Sequence, residues 1–247
     1  ENVSLREGVM ISHFEMLSDW QWYIRRGGCD RDSALGYMSM WAQMIAPATP
    51  HIAEELWMKI GGHGILSRKE LNPTDALSED KILLAEENYL KSVIDTSRNL
   101  LTLAQRHSDS PLQNSVLQTA PTWAQDLACE AISLSRQSFN FDELGMDYIK
   151  SHTTFTSSEN KGQVMQMWST ITRGSKKKRG KIQTWTEEEK TLVSIPDKEI
   201  HILENNRQFI AASLGINQVE VYEAGSGDDV GGKAGFALPL EPGLAFI

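Results

Sequence analysis

Cysteine is scarce in this chain of 247 residues, which holds only Cys29 and Cys129, far apart and outside any CxxC pair. This usage indicates neither a disulfide framework nor a thiolate zinc site, and it is typical of the reducing cytoplasm. Long apolar runs are also lacking, so the sequence predicts no membrane segment, which needs ~20 apolar residues. No signal-peptide pattern follows the first residue, Glu1. Because that residue is not Met, we interpret the chain as a fragment or a processed product.

Basic residues are in deficit, since 24 Lys and Arg stand against 33 Asp and Glu and give a net charge of -9. Such an acidic chain is not typical of a general nucleic-acid binder, because phosphate binding is favoured by many cationic contacts. The cations are nevertheless concentrated at one place. Six of them fall between positions 173 and 181: Arg173, Lys176, Lys177, Lys178, Arg179 and Lys181.

Helical periodicity dominates residues 1–110. The first segment repeats apolar residues at steps of three and four, at Met10, Phe14, Leu17, Trp20 and Ile24. Three later segments keep the same spacing to about residue 107, and short stretches with Gly or Pro separate them. Four helices with short connections predict an antiparallel helix bundle.

The pattern changes near Pro111, where we place a domain boundary. Residues 112–120 and 219–222 have the character of strands, and helices are predicted at about 142–150, 159–172, 186–195 and 200–214. The last residues, from Phe236 to Ile247, form a tail punctuated by Pro239 and Pro242. We therefore predict a mainly α fold, with a helix bundle over residues 1–110 followed by a small α/β domain over 111–247.

Two motifs are similar to a phosphate-binding loop and to a zinc-binding helix, and each lacks residues that such a site needs. Residues 227–234 fit GxxxxGK after a strand, but Ala234 stands where a Ser or Thr hydroxyl would hold magnesium, and two Asp would repel phosphate. His51 precedes Glu54 and Glu55 on one helix, yet the second His of a zinc helix is absent. We interpret the first motif as a turn and the second as structural, and we predict no catalytic or metal site.

The basic run is the best candidate for binding. Clustered Lys and Arg attract phosphate without reading bases, and Gly174 and Gly180 predict a mobile loop between helices. The alternatives are a solvated loop with no partner and an incidental resemblance to a nuclear import signal. A second candidate is the pair Trp20 and Trp22, which cannot both face inward because they are two residues apart on a helix. One of them is predicted to contact a neighbouring domain or RNA.

Three stretches carry a family resemblance. Residues 44–57, MIAPATPHIAEELW, resemble the hallmark of the helical tRNA-binding domain in class I aminoacyl-tRNA synthetases for aliphatic amino acids. In the second half, TAPTW at 119–123, VEVY at 219–222 and FALPLEPG at 236–243 resemble the C-terminal domain of archaeal-type leucyl-tRNA synthetases. The resemblance covers essentially the whole chain.

This resemblance implies a role in binding leucine tRNA. The family joins leucine to its tRNA with ATP and magnesium, through HIGH and KMSKS signatures that this sequence does not contain. The chain then resembles a C-terminal part without an active site or cofactor of its own, which works in the cytoplasm with the enzyme's catalytic and editing domains. In the family, residues near the chain end recognise the long variable arm of the tRNA, which points here to Ala245, Phe246 and Ile247. Relatives often carry a basic residue where this chain has Ala124.

A second hypothesis comes from another class of protein. The net charge of -9 and an exposed Trp also suit a structural or protein–protein scaffold with little RNA affinity of its own. Salt-dependent binding of tRNA favours the first hypothesis, and tight protein association with negligible RNA binding favours the second.

Overall fold

The computed structural model describes residues 4–69, 80–152, 155, 161–175, 178–226, 229 and 232–247. These residues belong to two compact units, Glu1–Ser78 and Glu79–Ile247. The helix Lys81–Gln105 belongs to the second unit, because it buries Leu90, Val93 and Ile94 and packs on helices and a strand there. The domain boundary near residue 110 stays a prediction.

The first unit is built from helices. They are α1 (Leu5–Val9), a π-helical segment (Met10–Glu15), α2 (Met16–Arg25), α3 (Arg31–Ile45), α4 (Pro50–Lys59) and a 3-10 turn (Leu66–Arg68). The Asp30 carboxylate caps α3, because it accepts hydrogen bonds from the backbone N–H groups of Asp32 and Ser33 at 2.8 and 3.1 Å. Pro50 opens α4, where a missing N–H is harmless. Helices α3 and α4 pack together around Ile45 and Trp57.

The second unit contains the remaining elements. They are α5 (Lys81–Gln105), β1 (Asn114–Thr119), α6 (Thr122–Arg136), α7 (Phe141–Ser151), α8 (Lys161–Thr172), β2 (Gly174–Ser175), β3 (Lys178–Arg179), α9 (Lys181–Thr184), α10 (Glu187–Val193), α11 (Lys198–Asn205), α12 (Arg207–Leu214), β4 (Gln218–Glu223), a 3-10 turn (Ala234–Phe236) and β5 (Gly243–Phe246). Its core lies among α6, α7 and α8, where Trp168 is fully buried. The indole N–H of Trp168 donates to the carbonyl of Gly145 at 2.8 Å, so this buried polar group is satisfied.

A three-stranded sheet with the order β4-β1-β5 organises this unit. Strand β1 pairs in parallel with β4, from Asn114 opposite Gln218 to Thr119 opposite Glu223. It pairs in antiparallel fashion with β5, from Ser115 opposite Phe246 to Gln118 opposite Gly243. Because β1 is central, its side chains from Ser115 onward are buried on both faces. The segment predicted as a tail therefore ends as an edge strand.

The mainly α architecture with a small α/β part is confirmed, and individual elements differ from the prediction. The helix predicted at 200–214 is interrupted at Asn206, whose side-chain amide donates to the carbonyl of Ile202 at 2.7 Å and competes with the helical hydrogen bonds. Within the GxxxxGK run, residues 227, 228, 230 and 231 lie outside the described residues. Across the described ranges, no helix combines the length and hydropathy needed to cross a bilayer.

Candidate nucleic-acid interface

The basic run forms a short β-hairpin rather than the loop predicted from its glycines. Gly174 pairs with Arg179 and Ser175 with Lys178, and Gly174 has a φ of 72°, which suits glycine. Gly180 lies against the preceding helix, where an added Cβ would stand 2.4 Å from the carbonyl oxygen of Thr172. The two glycines therefore fix the hairpin directly after α8.

Among the described side chains of the basic run, those of Arg173 and Lys181 have partners inside the protein. The Arg173 guanidinium donates to the backbone carbonyls of Phe141 (3.0 Å for Nε) and Asp142, which anchors the start of α7. The Lys181 ammonium forms an ion pair with the Glu241 carboxylate. These contacts give both cations a structural role beside any role toward RNA.

Of the remaining cations of the run, two lie on β3 and two lie outside the described residues. Arg179 is exposed on β3, and the backbone of Lys178 pairs in the same strand. Lys176 and Lys177 lie outside the described residues. In the described part of the run, Arg179 is therefore the cation whose side chain is best placed to meet a phosphate.

The predicted chain-end contacts lie at the edge of the sheet. The side chain of Ala245 is 7% exposed, so it packs inside the protein. The backbone carbonyl of Ile247 accepts hydrogen bonds from the N–H groups of Gln113 and Asn114 at 3.0 and 2.9 Å. Phe246 is half-buried and Ile247 is 57% exposed. Of the three residues, Ile247 and part of Phe246 are open to a ligand, and binding of RNA by any of them stays a prediction.

Phe246 also lines a cleft in the second unit. This chain-end cleft has a volume of about 840 Å³ and lies between the exposed apolar face of α5 and β5. Its walls include Leu100, Leu103 and His107 from α5, and Phe246 from β5. Lys233 and Phe236 of the 3-10 turn region line it as well.

The second cleft, the strand-edge cleft, opens where the parallel strands β1 and β4 end. It has a volume of about 830 Å³, and Pro121 and Trp123 after β1 and Ala224 and Gly225 after β4 line it. In sheets of parallel strands, this carboxyl edge is where ligands usually bind. The other lining residues come from α8 and from the segment before β5: Gln163, Gln166, Met167, Thr170, Asp229, Gly235, Phe236, Ala237 and Leu238.

A tight turn, Leu238–Glu241, separates the two clefts in sequence. Leu238 and Glu241 exchange backbone hydrogen bonds of 2.9 and 2.8 Å, and Leu240 has a φ of 61°, a strained value for a side chain of this size. The backbone N–H of Leu240 donates to the buried Glu199 carboxyl at 3.2 Å. The hydrogen bond to the buried Glu199 carboxyl therefore fixes the position of this turn.

Glu199 is a buried carboxyl that connects three elements. Its other oxygen accepts a hydrogen bond from the hydroxyl of Tyr89 on α5 at 2.8 Å, so α5, α11 and the Leu238–Glu241 turn meet there. Burial raises the pKa of Glu199 to about 7, although both hydrogen bonds lower it. Sequence reasoning missed this group. Its burial could have been predicted from its position on the apolar face of α11, since Glu199 lies three and four residues before Ile202 and Leu203.

The HIAEELW stretch has a structural role in the first unit. The Glu54 carboxylate accepts hydrogen bonds from the N–H groups of Leu66 and Ser67 at 2.9 and 3.0 Å, and these bonds lower the pKa of Glu54. The ammonium of Lys69 lies 4.2 Å from the centre of the Trp57 ring, a cation–π distance. The motif thus ties α4 to the segment that follows it.

The two tryptophans on α2 have different surroundings, as their spacing predicts. Trp20 stacks on Tyr37 with ring centres 4.5 Å apart, and on Tyr23 at 5.1 Å. Trp22 instead lies under the guanidinium of Arg25, 5.3 Å from the ring centre. Trp20 therefore joins α2 to α3, and contact of Trp22 with RNA or another domain stays a prediction.

Comparison with known sequences defines the class to which this arrangement belongs. Residues 3–115 match the family described as the anticodon-binding domain of tRNA ligase. This match includes the first unit, the helix α5 and the start of β1. This part of the chain is therefore similar to a domain of the tRNA ligases.

The relatives of the whole chain narrow this class. It is 26% identical to the leucine–tRNA ligases of Methanococcus maripaludis strain C7 and Pyrococcus abyssi, over 250 residues that cover 99% of the chain. A stretch of 135 residues, 55% of the chain, is 31% identical to 14% of the leucine–tRNA ligase of Methanothrix thermoacetophila. The chain spans 22% and 23% of the first two relatives' length. The chain is therefore similar to archaeal leucine–tRNA ligases over nearly its whole length, which confirms the resemblance.

Proposed function

We propose that this chain is the tRNA-binding part of a leucine–tRNA ligase and that it positions leucine tRNA for leucylation elsewhere in the enzyme. One observation supports the proposal: the similarity to leucine–tRNA ligases continues beyond the matched domain. Residues 3–115 match the anticodon-binding domain of tRNA ligase, and 99% of the chain aligns with leucine–tRNA ligases. Catalytic and editing domains, ATP and magnesium then belong to the rest of the enzyme, and the cytoplasm is the expected location.

The geometry of the second unit is compatible with binding of RNA. The hairpin β2–β3 presents Arg179 to solvent, and two clefts open on the same unit. Hydrogen-bonding amides, aromatic rings and scattered cations are groups that suit RNA recognition.

The charge distribution suits selection of one tRNA. A net charge of -9 disfavours indiscriminate attachment to RNA, and a local cationic hairpin still provides attraction at one place. We further propose that the long variable arm of leucine tRNA is the feature selected, with the region around β5 as its contact. Unpaired bases at the tip of such an arm are the usual targets of sequence-specific RNA recognition.

An equilibrium titration of the 247-residue chain tests this function. Leucine tRNA and a tRNA with a short variable arm are titrated at two salt concentrations. We expect salt-dependent binding of leucine tRNA and weaker binding of the short-arm tRNA. Negligible binding of both contradicts the proposed function and favours the scaffold hypothesis, whereas equal binding of both contradicts the role of the variable arm.

A further inference from the structure

Phe236 is the most exposed large apolar side chain in the described part of the protein, at 74%. It lies in the 3-10 turn Ala234–Phe236, and the ammonium of Lys233 stands 5.8 Å from the centre of its ring. An exposed aromatic ring has an unfavourable contact with water that no packing inside the protein offsets. A ring beside a cation is the combination that proteins use to stack an unpaired base and to attract its phosphate.

The strand-edge cleft continues from this ring. On its α8 side, Gln163, Gln166 and Thr170 follow one another at steps of three and four, so their side chains share one face of the helix. The Thr170 hydroxyl donates to the backbone carbonyl of Gln166 at 3.0 Å and keeps its own oxygen as an acceptor. Side-chain amides both donate and accept, as the edge of a base requires.

The charge of the cleft fits a base better than a phosphate. Asp229 is the one titratable residue among the described residues that line it. A carboxylate accepts hydrogen bonds from the amino groups of bases, and it repels phosphate. The cations lie outside the cleft lining, at Lys233 beside Phe236 and at the hairpin that begins directly after α8.

We propose that the strand-edge cleft binds one unpaired base of the RNA, stacked on Phe236 and held at its edge by Gln163 and Gln166. This inference rests on the proposed function, because it takes the RNA that the chain binds as the source of the base. It assigns a site separate from the chain-end contacts of Ala245, Phe246 and Ile247. Lys233 lies where the phosphate of the stacked nucleotide is neutralised.

Binding of leucine tRNA by three variants of the full chain tests this site. Phe236→Ala is expected to weaken binding about 5- to 150-fold, the range given by loss of one base–aromatic stack. Phe236→Tyr is expected to restore it, because a Tyr ring stacks as well. Leu144→Ala is the matched control, since Leu144 is also an exposed apolar residue, at 53%, and lines neither cleft.

Phe236 lines both clefts, so two further variants are needed to determine which cleft binds the base. The double variant Gln163→Ala/Gln166→Ala affects only the strand-edge cleft, and Leu103→Ala affects only the chain-end cleft. We expect the first to weaken binding and to expose one unpaired base to chemical modification in the complex. We expect the second to leave that base protected.

The outcomes distinguish the two proposals. If the unsubstituted chain binds no tRNA, the proposed function fails. If it binds, and Phe236→Ala or the double variant binds as tightly as the parent, the strand-edge site is wrong. Weakening by Leu103→Ala alone also overturns it and moves the base to the chain-end cleft. A loss that Phe236→Tyr does not restore contradicts stacking.

Discussion

Glu199→Gln is expected to remove a pH dependence from the stability of the second unit. The folded-state pKa of Glu199 is about 7, against an ordinary value of 4.5, because the carboxyl is buried. A raised pKa means that the folded state holds the proton more tightly than the unfolded state. The stabilising contribution is complete below pH 4.5 and is lost as the pH rises through 7.

The magnitude follows from this shift. Ionisation of Glu199 lowers the free energy of unfolding by about 3 kcal/mol in all, and most of this loss falls between pH 5 and pH 8. Gln has no charge to bury, and its amide can accept from the Leu240 N–H and donate to the Tyr89 hydroxyl oxygen. The free energy of unfolding of the variant is therefore expected to rise by about 2–3 kcal/mol relative to that of the parent over that pH range.

Urea unfolding at pH 5, 6, 7 and 8 measures this difference. Amide exchange of peptides from α5 and α11 reports the second unit by itself, and the comparison of parent with variant cancels the other titrating groups. Glu204→Gln is the control, because Glu204 is exposed on the same helix. A difference between parent and Glu199→Gln that is the same at pH 5 and pH 8 refutes the reasoning.

Three further changes have expected outcomes. Gly180→Ala is expected to destabilise the second unit by about 1–3 kcal/mol in urea unfolding, because the added Cβ overlaps the carbonyl of Thr172. Gly162→Ala is the control: its added Cβ meets nothing within 4 Å, so this change is expected to be neutral or slightly stabilising. Glu54→Gln is expected to speed amide exchange in the segment that follows α4, because it weakens the hydrogen bonds from the N–H groups of Leu66 and Ser67. The surface change Glu55→Gln is not expected to do so. Equal exchange in both variants contradicts the role of Glu54 in holding this segment. Arg179→Ala is expected to reduce the slope of log K against log salt by about 0.7–0.9 in tRNA titrations, and an unchanged slope excludes a phosphate contact at this residue.

Local signals predicted much of the fold. The Asp30 cap, Pro50 at the start of α4 and the Thr186 cap act within three or four residues, so the local sequence displays them. Thr186 and Glu189 form a reciprocal capping box. These elements depend on short-range hydrogen bonds, which a sequence displays directly.

Long-range partners account for what the sequence did not predict. Strand β5 has no clear alternation of its own and exists because β1, more than a hundred residues earlier, offers a free edge. Lys181 counts as one cation of a basic run, yet its partner Glu241 lies sixty residues further along the chain. A sequence shows charges and apolar residues, but it does not show which distant groups meet.

The same limit applies to the candidate site. The cationic run was visible, whereas the strand-edge cleft arises from segments around 121–123, 163–170, 224–225 and 235–238. Trp123 and Phe236 were recognised only as parts of family-like stretches. Their placement on one cleft depends on the parallel pairing of β1 with β4, which brings the ends of both strands to the same edge.

A chemical footprint of the chain on leucine tRNA tests the central claim most directly. Backbone cleavage and base modification are mapped on the free tRNA and on the tRNA saturated with the chain. The account predicts protection of phosphates in a continuous region and of unpaired bases in the long variable arm. A tRNA whose footprint is unchanged at concentrations that saturate binding of a full-length leucine–tRNA ligase would contradict it.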